Sequence, residues 1–517
     1  MRHIFLYGPP GSGKSSIGKL LAASLNMPFL DLDTEIEKTV GQSISHIMAD
    51  QGEIAFRKLE SVTLERVAVG PASVVALGGG ALLRDTNRIC AESIGQVVLL
   101  EADMPTLLAR MQNEPSQRPL LAGRMDQKLQ ALLEQRNSHY DSFRLRITTT
   151  KLELETLVWN IQQLLGCFHV RGMGDGYDVI VQPGGLGQIG DMLKESDFTG
   201  TIAVVADTNV SKIYGQQVQG SLQAAGFNTH LLTFPFGEQH KTLETVSYLW
   251  RGFLEAELDR RSMVVALGGG VTGDLSGFAA SAFMRGIPWV GLPTSLLAMA
   301  DSSLGGKTGC DLPEGKNLIG AFHSPSLVLS DPNVLSTLPE EELRSGLAEV
   351  VKNAVIADRT LFELCIQGYD AVKANLPEII RRAMAVKVKY IEVDPFERGL
   401  RAALNFGHTV GHAIETLSGY RLRHGEAVSI GMMAEARLAE RLNLANAGLS
   451  RTIAGALMGL GLPLEIPSNL PKTGILRVMQ FDKKKDFGAV RFALPVAIGN
   501  VRVGVEVENL ELLFTEV

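Results

Sequence analysis

The segment Gly8-Pro9-Pro10-Gly11-Ser12-Gly13-Lys14-Ser15 restricts the fold of this chain more than any other stretch. It fits GxxxxGK[ST], with the apolar run Ile4-Phe5-Leu6-Tyr7 before it and a helical stretch over 13–25 after it. Such a loop functions only between a strand and a helix. Its glycines let backbone N–H groups close around phosphate oxygens, its lysine offers charge to the outer phosphates, and its hydroxyl is placed for Mg2+. Gly11, Ser12, Gly13, Lys14, Ser15 and Ser16 are the candidate nucleotide contacts, with Ser15 also a metal ligand. The neighbouring pattern suits a parallel α/β unit: apolar runs at 3–7, 73–77 and 96–100 alternate with helical stretches at 13–25, 52–68 and 126–136, and a helix ending at Leu165 closes the unit.

A chain of 517 residues has room for about three domains. Gly166 to Gly176 carries four glycines and little periodicity, so residues 166–176 read as a linker after a first domain over 1–165. Alternation resumes over 177–335, with buried strands expected at Ile202–Ala206 and Met263–Leu267, as in a doubly wound nucleotide-binding half. Residues 336–517 are mainly helical (340–357, 377–392, 408–418, 425–442) and close with strand-like Val490–Pro495 and Val501–Val507. A net charge of -7 argues against broad nucleic-acid binding, and no stretch approaches the ~20 apolar residues of a membrane span. The four cysteines are scattered without a CxxC pair, which fits a reducing cytoplasm and small anionic partners. Val74 to Gly80 recurs almost unchanged at Val264 to Gly270, which reads as convergence on a strand running into a glycine turn.

Within the first domain, Asp31 and Asp33 stand two apart at an expected strand end. That would turn both carboxylates to one side, one for Mg2+ and one for a hydroxyl; the alternative is an N-cap cluster for a helix at 34–40. Arg57, Arg118 and Arg136 are candidate clamps for phosphate and carboxylate. Together with Gly52-Glu53, Gly78-Gly79-Gly80, Arg118-Pro119-Leu120 and Glu134-Gln135-Arg136-Asn137, these residues resemble the shikimate kinase family over nearly all of 1–165. The resemblance implies ATP-dependent phosphorylation of the shikimate 3-hydroxyl, with ATP as co-substrate and Mg2+ held by Ser15 and Asp31. It further implies Asp33 as hydroxyl ligand and base, Arg57, Arg136, Gly79 and Gly80 around the carboxylate, Arg118 on a lid over the phosphates, and Arg110 stacked on adenine. Another small-molecule P-loop kinase is the competing reading, and it has no need of the paired carboxylate-reading arginines.

In the second half, Gly268-Gly269-Gly270-Val271-Thr272-Gly273-Asp274 follows an apolar strand and offers amides to a pyrophosphate, without GxGxxG spacing; Asp207 ends another strand where an acid can accept from a ribose hydroxyl. Both features suit NAD. His408 and His412 lie one helical turn apart and look like paired zinc ligands, with Glu349 a possible third; the alternative is a helix N-terminus with satisfied polar residues. Arg285, Lys307, Lys316, Lys352, Lys387, Arg401, Lys483 and Lys484, several of them in glycine-rich or apolar settings, are candidate anion ligands.

Pro235-Phe236-Gly237-Glu238 with Lys241, the GGGVTGD loop, Leu292 to Met299, Asp301 to Gly309, Lys316 to Gly320 and the histidine segment resemble the 3-dehydroquinate synthase family over essentially all of 177–517. The expected architecture is a P-loop kinase domain with a parallel sheet, then a Rossmann-like α/β half joined to a mainly helical metal-binding half. The resemblance implies Zn2+ (or Co2+) on Glu349, His408 and His424, which recasts His412 as a residue near the phosphate. It implies NAD on Asp207, Glu238, Lys241, Gly269, Gly270, Val271, Asp274, Thr294 and Ser295, with Lys307 and Lys316 adjoining. Substrate contacts would come from Asp301, Arg285, Lys307, Lys316, Asn317, Lys352, Lys387, Arg401, Asn405, His412, Lys483 and Lys484, with Lys307, Lys352, Lys387 and His412 as candidate proton carriers. The implied reaction converts a seven-carbon heptulosonate phosphate to 3-dehydroquinate and phosphate without net redox change, and a homodimer through this half is expected. A polyol dehydrogenase or another sugar-phosphate cyclase is the competing reading.

Overall fold

The computed structural model describes residues 2–112, 125–196, 198–485 and 490–514, apart from the side chains of 481–485. The chain forms two compact units, Met1–His169 and Val170–Val517. The division falls inside a short strand, Cys167–Val170, within the glycine-rich stretch that reads as linker.

In the first unit, β1 (His3–Tyr7), β2 (Phe29–Asp31), β3 (Val74–Ala76), β4 (Gly95–Glu101) and β5 (Leu145–Thr148) form one sheet in the order β2-β3-β1-β4-β5. All its pairings are parallel. Its central strands are buried on both faces, which is why β1 is an unbroken apolar run rather than an alternating one. Helix Lys14–Ser24 starts where β1 and the phosphate loop end, with Gly13 left-handed at φ 91°. Asp31 ends β2 and caps the helix Leu32–Val40 by accepting from the Thr34 N–H. Asp33 therefore lies on the first helical turn rather than the strand, and strand periodicity is not what aims it.

In the second unit, with Cys167–Val170 as β6, the parallel strands are β7 (Tyr177–Val181), β8 (Ile202–Asp207), β9 (Thr229–Phe234), β10 (Met263–Gly268), β11 (Trp289–Pro293) and β14 (Leu327–Ser330). Their order is β7-β14-β11-β10-β8-β9. The hairpin β12 (Lys307–Leu312) and β13 (Gly315–Phe322) interrupts the alternation, and a second hairpin, β15 (Arg491–Ala497) with β16 (Asn500–Glu506), closes the chain. Between β14 and the second hairpin the unit is helical.

Helices His408–Leu417 and His424–Arg441 cross at glycines. A Cβ on Gly431 would stand 2.0 Å from the Gly407 carbonyl oxygen, and one on Gly411 would meet the Ala427 backbone at 3.1 Å. Backbone contact at this distance admits no larger residue, and it brings the histidines of the first helix beside the start of the second. The buried Glu435 carboxylate accepts from the N–H groups of Gly407 (2.7 Å) and Val410 (3.2 Å), holding the N-terminus of the histidine helix. Among the described residues, no helix is long and apolar enough to cross a membrane.

Candidate active sites

The first site is a cavity of about 590 Å³ at the C-terminal ends of β1, β2 and β3, running from Lys14 and Ser15 to Asp33, Arg57 and Arg136. At the phosphate end, Lys14 Nζ donates to the Gly8 and Pro9 carbonyls, both at 2.9 Å, and Ser15 Oγ donates to Asp31 at 2.6 Å. A hydroxyl bonded to a carboxylate beside a phosphate loop offers two oxygen donors of the kind that suits Mg2+. Asp31 thus serves both as the cap and as part of the candidate cation site.

At the far end, three donors converge on the Gly79 carbonyl: Arg136 Nη1 at 2.7 Å, Tyr140 OH at 3.1 Å and Tyr7 OH at 3.3 Å. They fix the triple-glycine loop. The Arg57 guanidinium pairs with Glu60 at 2.5 Å and Glu53 at 3.1 Å and lies so close to Gly80 that a Cβ there would meet Nη2 at 2.6 Å. Glu60 is buried, and burial pushes its carboxyl up against the pull of Arg57. It and Asp33 flank Gly78, where a Cβ would stand 2.9 Å from Glu60 Oε1 and 3.1 Å from Asp33 Oδ1. Glu60 is absent from the sequence reading; its signal is the i, i+3 spacing from Arg57 on one helix.

Arg110 stands beside the phosphate loop. Its guanidinium donates to Thr149 Oγ1 (2.9 Å) and O (2.8 Å) and to the Gly11 carbonyl (3.4 Å), bracing the outside of the phosphate loop. Ser12 is buried beneath that loop, whereas Ser16 lines the cavity. Arg118 lies outside the described residues.

The second site is a cavity of about 620 Å³ whose lining includes Asp301, Lys307, Lys352, Lys387, Arg401, Asn405 and three histidines. A chain of alternating charges runs along its floor. Glu349 pairs with Lys352, Lys352 stands 3.6 Å from Asp301, and Asp301 accepts from Lys387 at 2.6 Å. The members come from three elements: helix Glu340–Ala357, helix Leu376–Val393 and the π-helical turn Ala298–Ser302, which departs from the α-helical spacing at Asp301. Burial opposes every charge here. Lys387 and Lys352 nevertheless hold Asp301 well below the carboxylate range, while dehydration keeps Lys387 below its usual value despite Asp301.

At the cavity mouth, Lys307 pairs with Glu397, which also accepts from Asn405 Nδ2 at 3.3 Å. Dehydration against the cavity wall, then the Arg401, Lys387 and Lys352 cations, push the Lys307 ammonium down to about 8, although about half of the side chain is open to solvent. Glu397 has no flanking motif to advertise it, only a loop between two helical segments and a left-handed φ of 56°. Arg401 is buried against Gly305 and donates to the Pro395 carbonyl at 2.5 Å.

Glu349, His408 and His424 bring ligand atoms within 4.8 Å of one another. Both Glu349 oxygens are buried without a well-formed hydrogen bond, and His408 Nε2 and His424 Nε2 face Oε1 at 3.3 and 3.4 Å. A buried carboxylate with imidazole nitrogens converging on it fits a divalent cation. His412 stands beside this group, at the exposed edge of the cavity, where dehydration and then the neighbouring rings of His408 and His424 push it below the usual imidazole range. The pairing of His408 with His412 expected from helical spacing alone gives way to His408 with His424, because the glycine crossing sets the second helix's first residue next to the first helix.

Asp207, Gly269–Val271 and Thr294–Ser295 gather at the C-terminal ends of the neighbouring strands β8, β10 and β11, where a doubly wound sheet takes its nucleotide. Asp207 Oδ1 also accepts from Asn209 and Val210 N–H groups. Lys241, set between Asp274 and Asn317 at 2.6 Å each, and Lys316, 3.3 Å from Glu238, border an adjoining cavity of about 660 Å³. Burial raises the Asp274 carboxyl to about 6 against the Lys241 charge.

Arg285 does not line the Lys307 cavity. It follows helix Gly270–Ala282, whose thirteen residues at about 1.5 Å each set it roughly 20 Å from the glycine loop. Lys483 and Lys484 belong to helix Lys472–Lys485, but their side chains lie outside the description.

Residues 231–345 match the family model of the 3-dehydroquinate synthase N-terminal region and 346–485 that of its C-terminal region. A 3-dehydroquinate synthase from a Synechococcus species is 45% identical over 347 residues, covering 65% of this chain and 94% of that protein. The chain belongs to the 3-dehydroquinate synthase family. Residues 10–165 match the shikimate kinase model, so a shikimate kinase domain precedes the synthase, and the chain joins two enzymes, a transferase and a lyase. Among solved structures, a 2-epi-5-epi-valiolone synthase from Streptomyces hygroscopicus with NAD+ and Zn2+ bound is 30% identical with TM-score 0.60, covering 67% of this chain and 97% of its own. A 2-deoxy-scyllo-inosose synthase with carbaglucose-6-phosphate, NAD+ and Co2+ is 26% identical with TM-score 0.60, covering 65% of this chain and 94% of its own. The synthase unit therefore shares its architecture with these two synthases, at lower identity than it has to the dehydroquinate synthase from Synechococcus.

Proposed function

We propose that the first unit transfers the terminal phosphate of ATP to the 3-hydroxyl of shikimate, and that the second converts 3-deoxy-D-arabino-heptulosonate 7-phosphate to 3-dehydroquinate and phosphate. For the kinase, the carrying observation is one cavity with a phosphate loop at one end and two arginines braced against glycines at the other. Lys14 and the loop amides hold the phosphates, and Ser15 with Asp31 holds Mg2+, which neutralises phosphate charge. Arg57 and Arg136 orient the carboxylate so that a ring hydroxyl meets Asp33, which orients it or accepts its proton.

For the synthase, the carrying observation is the buried Glu349–Lys352–Asp301–Lys387 chain beneath a mouth lined by Lys307, Arg401 and Asn405. The floor presents ammonium groups to the sugar oxygens, and the mouth supplies cations for a carboxylate and a phosphate. Zn2+ or Co2+, held by Glu349, His408 and His424, supplies Lewis-acid polarisation when bound, and NAD, held at the strand ends, supplies a reversible hydride acceptor. Glu397 and His412 both face the cavity and are positioned to accept protons there. The cation-lined mouth favours this reading over a polyol dehydrogenase, whose substrate carries neither anion. A homodimer through the synthase unit is part of the proposal.

The test is direct. The full-length chain should release phosphate from the heptulosonate phosphate with trace NAD+ and Zn2+ and without stoichiometric NADH, and should form ADP only when shikimate, ATP and Mg2+ are present. NADH accumulating in proportion to product would sink the synthase assignment, and shikimate-independent ADP formation would sink the kinase assignment.

A further inference from the structure

We propose that Glu415 is a positioning residue for the metal centre, fixing the ring of His424 from the side away from the ion and linking it to Lys316 on the β12–β13 hairpin. The proposal rests on the assignment of Glu349, His408 and His424 as ligands. Glu415 lies two helical turns after His408 on the same helix, and its side chain is only 9% exposed. A carboxylate so placed must have partners. Its oxygens are divided between two: Oε2 is 3.2 Å from His424 Nδ1, and Oε1 is 3.0 Å from Lys316 Nζ.

This division settles how the His424 ring is used. Nδ1 faces Glu415 and Nε2 faces Glu349, so a proton on Nδ1 is donated to Glu415 and the Nε2 lone pair is left for a cation. His408 follows the same plan by other means. Its Nδ1 lies 3.2 Å from the Phe406 carbonyl, which can only accept, and its Nε2 faces Glu349. A backbone carbonyl thus sets the tautomer of one imidazole and a carboxylate sets that of the other.

Glu415 also belongs to an alternative triad with His412 and His424, in which it would itself be a ligand. The engagement of both its oxygens, by His424 and Lys316, points to the outer role instead. Lys316 further pairs with Glu238 at 3.3 Å and lies over the Tyr420 ring at 4.4 Å, so the carboxylate joins the metal centre to the hairpin bordering the adjoining cavity.

The experiment measures Zn2+ and Co2+ dissociation constants of the full-length chain by competition with a chromophoric chelator, the visible spectrum of the Co2+ form, and the melting temperature of metal-free protein. Glu415→Gln should weaken binding about 10–100-fold, the range for loss of an outer partner of a metal-bound histidine, with parental Co2+ bands and parental metal-free melting. Glu349→Gln should weaken it far more and alter the bands. Affinity within twofold of the parent in both Glu415→Gln and Glu415→Ala overturns the proposal. Altered bands in Glu415→Gln overturn it in favour of a direct ligand, and a lowered metal-free melting temperature overturns it in favour of a purely structural role. Unchanged affinity in Glu349→Gln would instead sink the ligand assignment beneath it.

Discussion

Replacing Gly80 with alanine tests the arginine clamp of the kinase without altering a single charge. Gly80 sits at φ -123°, which alanine adopts without strain. Its new Cβ would stand 2.6 Å from Arg57 Nη2, so the guanidinium must retreat about 0.8 Å to reach ordinary contact at 3.4 Å. Arg57 cannot swing away without loss, because Glu60 at 2.5 Å and Glu53 at 3.1 Å pin it. The retreat removes or lengthens one charge-assisted hydrogen bond to the substrate carboxylate, a contact worth about 1.5–3 kcal/mol. At about 1.4 kcal/mol per tenfold, kcat/KM for shikimate should fall roughly 10–100-fold. The assay varies shikimate at saturating ATP and Mg2+, with synthase activity on the same preparation as an internal control. KM for ATP and the synthase rate should stay within twofold of the parent. An unchanged KM for shikimate, or a matching rise in KM for ATP, refutes the assignment of Arg57 to the carboxylate.

Asp31→Asn should raise the Mg2+ concentration for half-maximal kinase activity about tenfold, the scale of one charge-assisted contact, through the 2.6 Å contact with Ser15; an unchanged Mg2+ titration argues against a cation there. Because the Lys307 ammonium is pushed down to about 8, its charge disappears as pH rises past that value, so the synthase KM for its phosphorylated substrate should climb by about pH 9. Lys307→Arg stays charged and should flatten that climb; superimposable profiles would remove Lys307 from anion binding. Gly431→Ala drives a Cβ to 2.0 Å from the Gly407 carbonyl and should destabilise the synthase unit by about 1–3 kcal/mol, read as a lower melting temperature with earlier loss of metal. Burial raises the Glu435 carboxyl to about 8. The folded state then holds an extra proton between the ordinary value of about 4.3 and 8, so this contribution to stability is complete below that window and lost as pH rises through it. Glu435→Gln should flatten that decline in urea unfolding, and a slope equal to the parent's would contradict the shift.

Local patterns announced whatever depends on consecutive residues. The phosphate loop, the strands ending at Asp207 and Gly268, and the helices at Glu340–Ala357 and Leu376–Val393 stand close to their expected positions, because burial on both faces and helical spacing leave direct traces. Partnerships between distant segments leave none. Glu397 reaches Lys307 across 90 positions, and nothing around it distinguishes it from a surface glutamate. His412 has the right spacing from His408, but Glu349 faces His408 and His424, since a crossing of two glycine-lined helices, not a helical period, sets those two rings together. Arg285 stands outside the lining of the Lys307 cavity, at the end of helix Gly270–Ala282 away from the glycine loop. Asp31 both caps a helix and accepts from Ser15.

The floor of the synthase cavity balances two carboxylates, Glu349 and Asp301, against two ammonium groups, Lys352 and Lys387. Any single replacement there strands a charge in a buried place, and a compensating one must come from a different element. Lys307 and Asn405 lie at the mouth, where a change alters what is bound without unbalancing what lies beneath. Selection for a new phosphorylated sugar would find single-step variation at the mouth and almost none on the floor, so descendants of this architecture should diverge in what they accept long before they diverge in how they act on it.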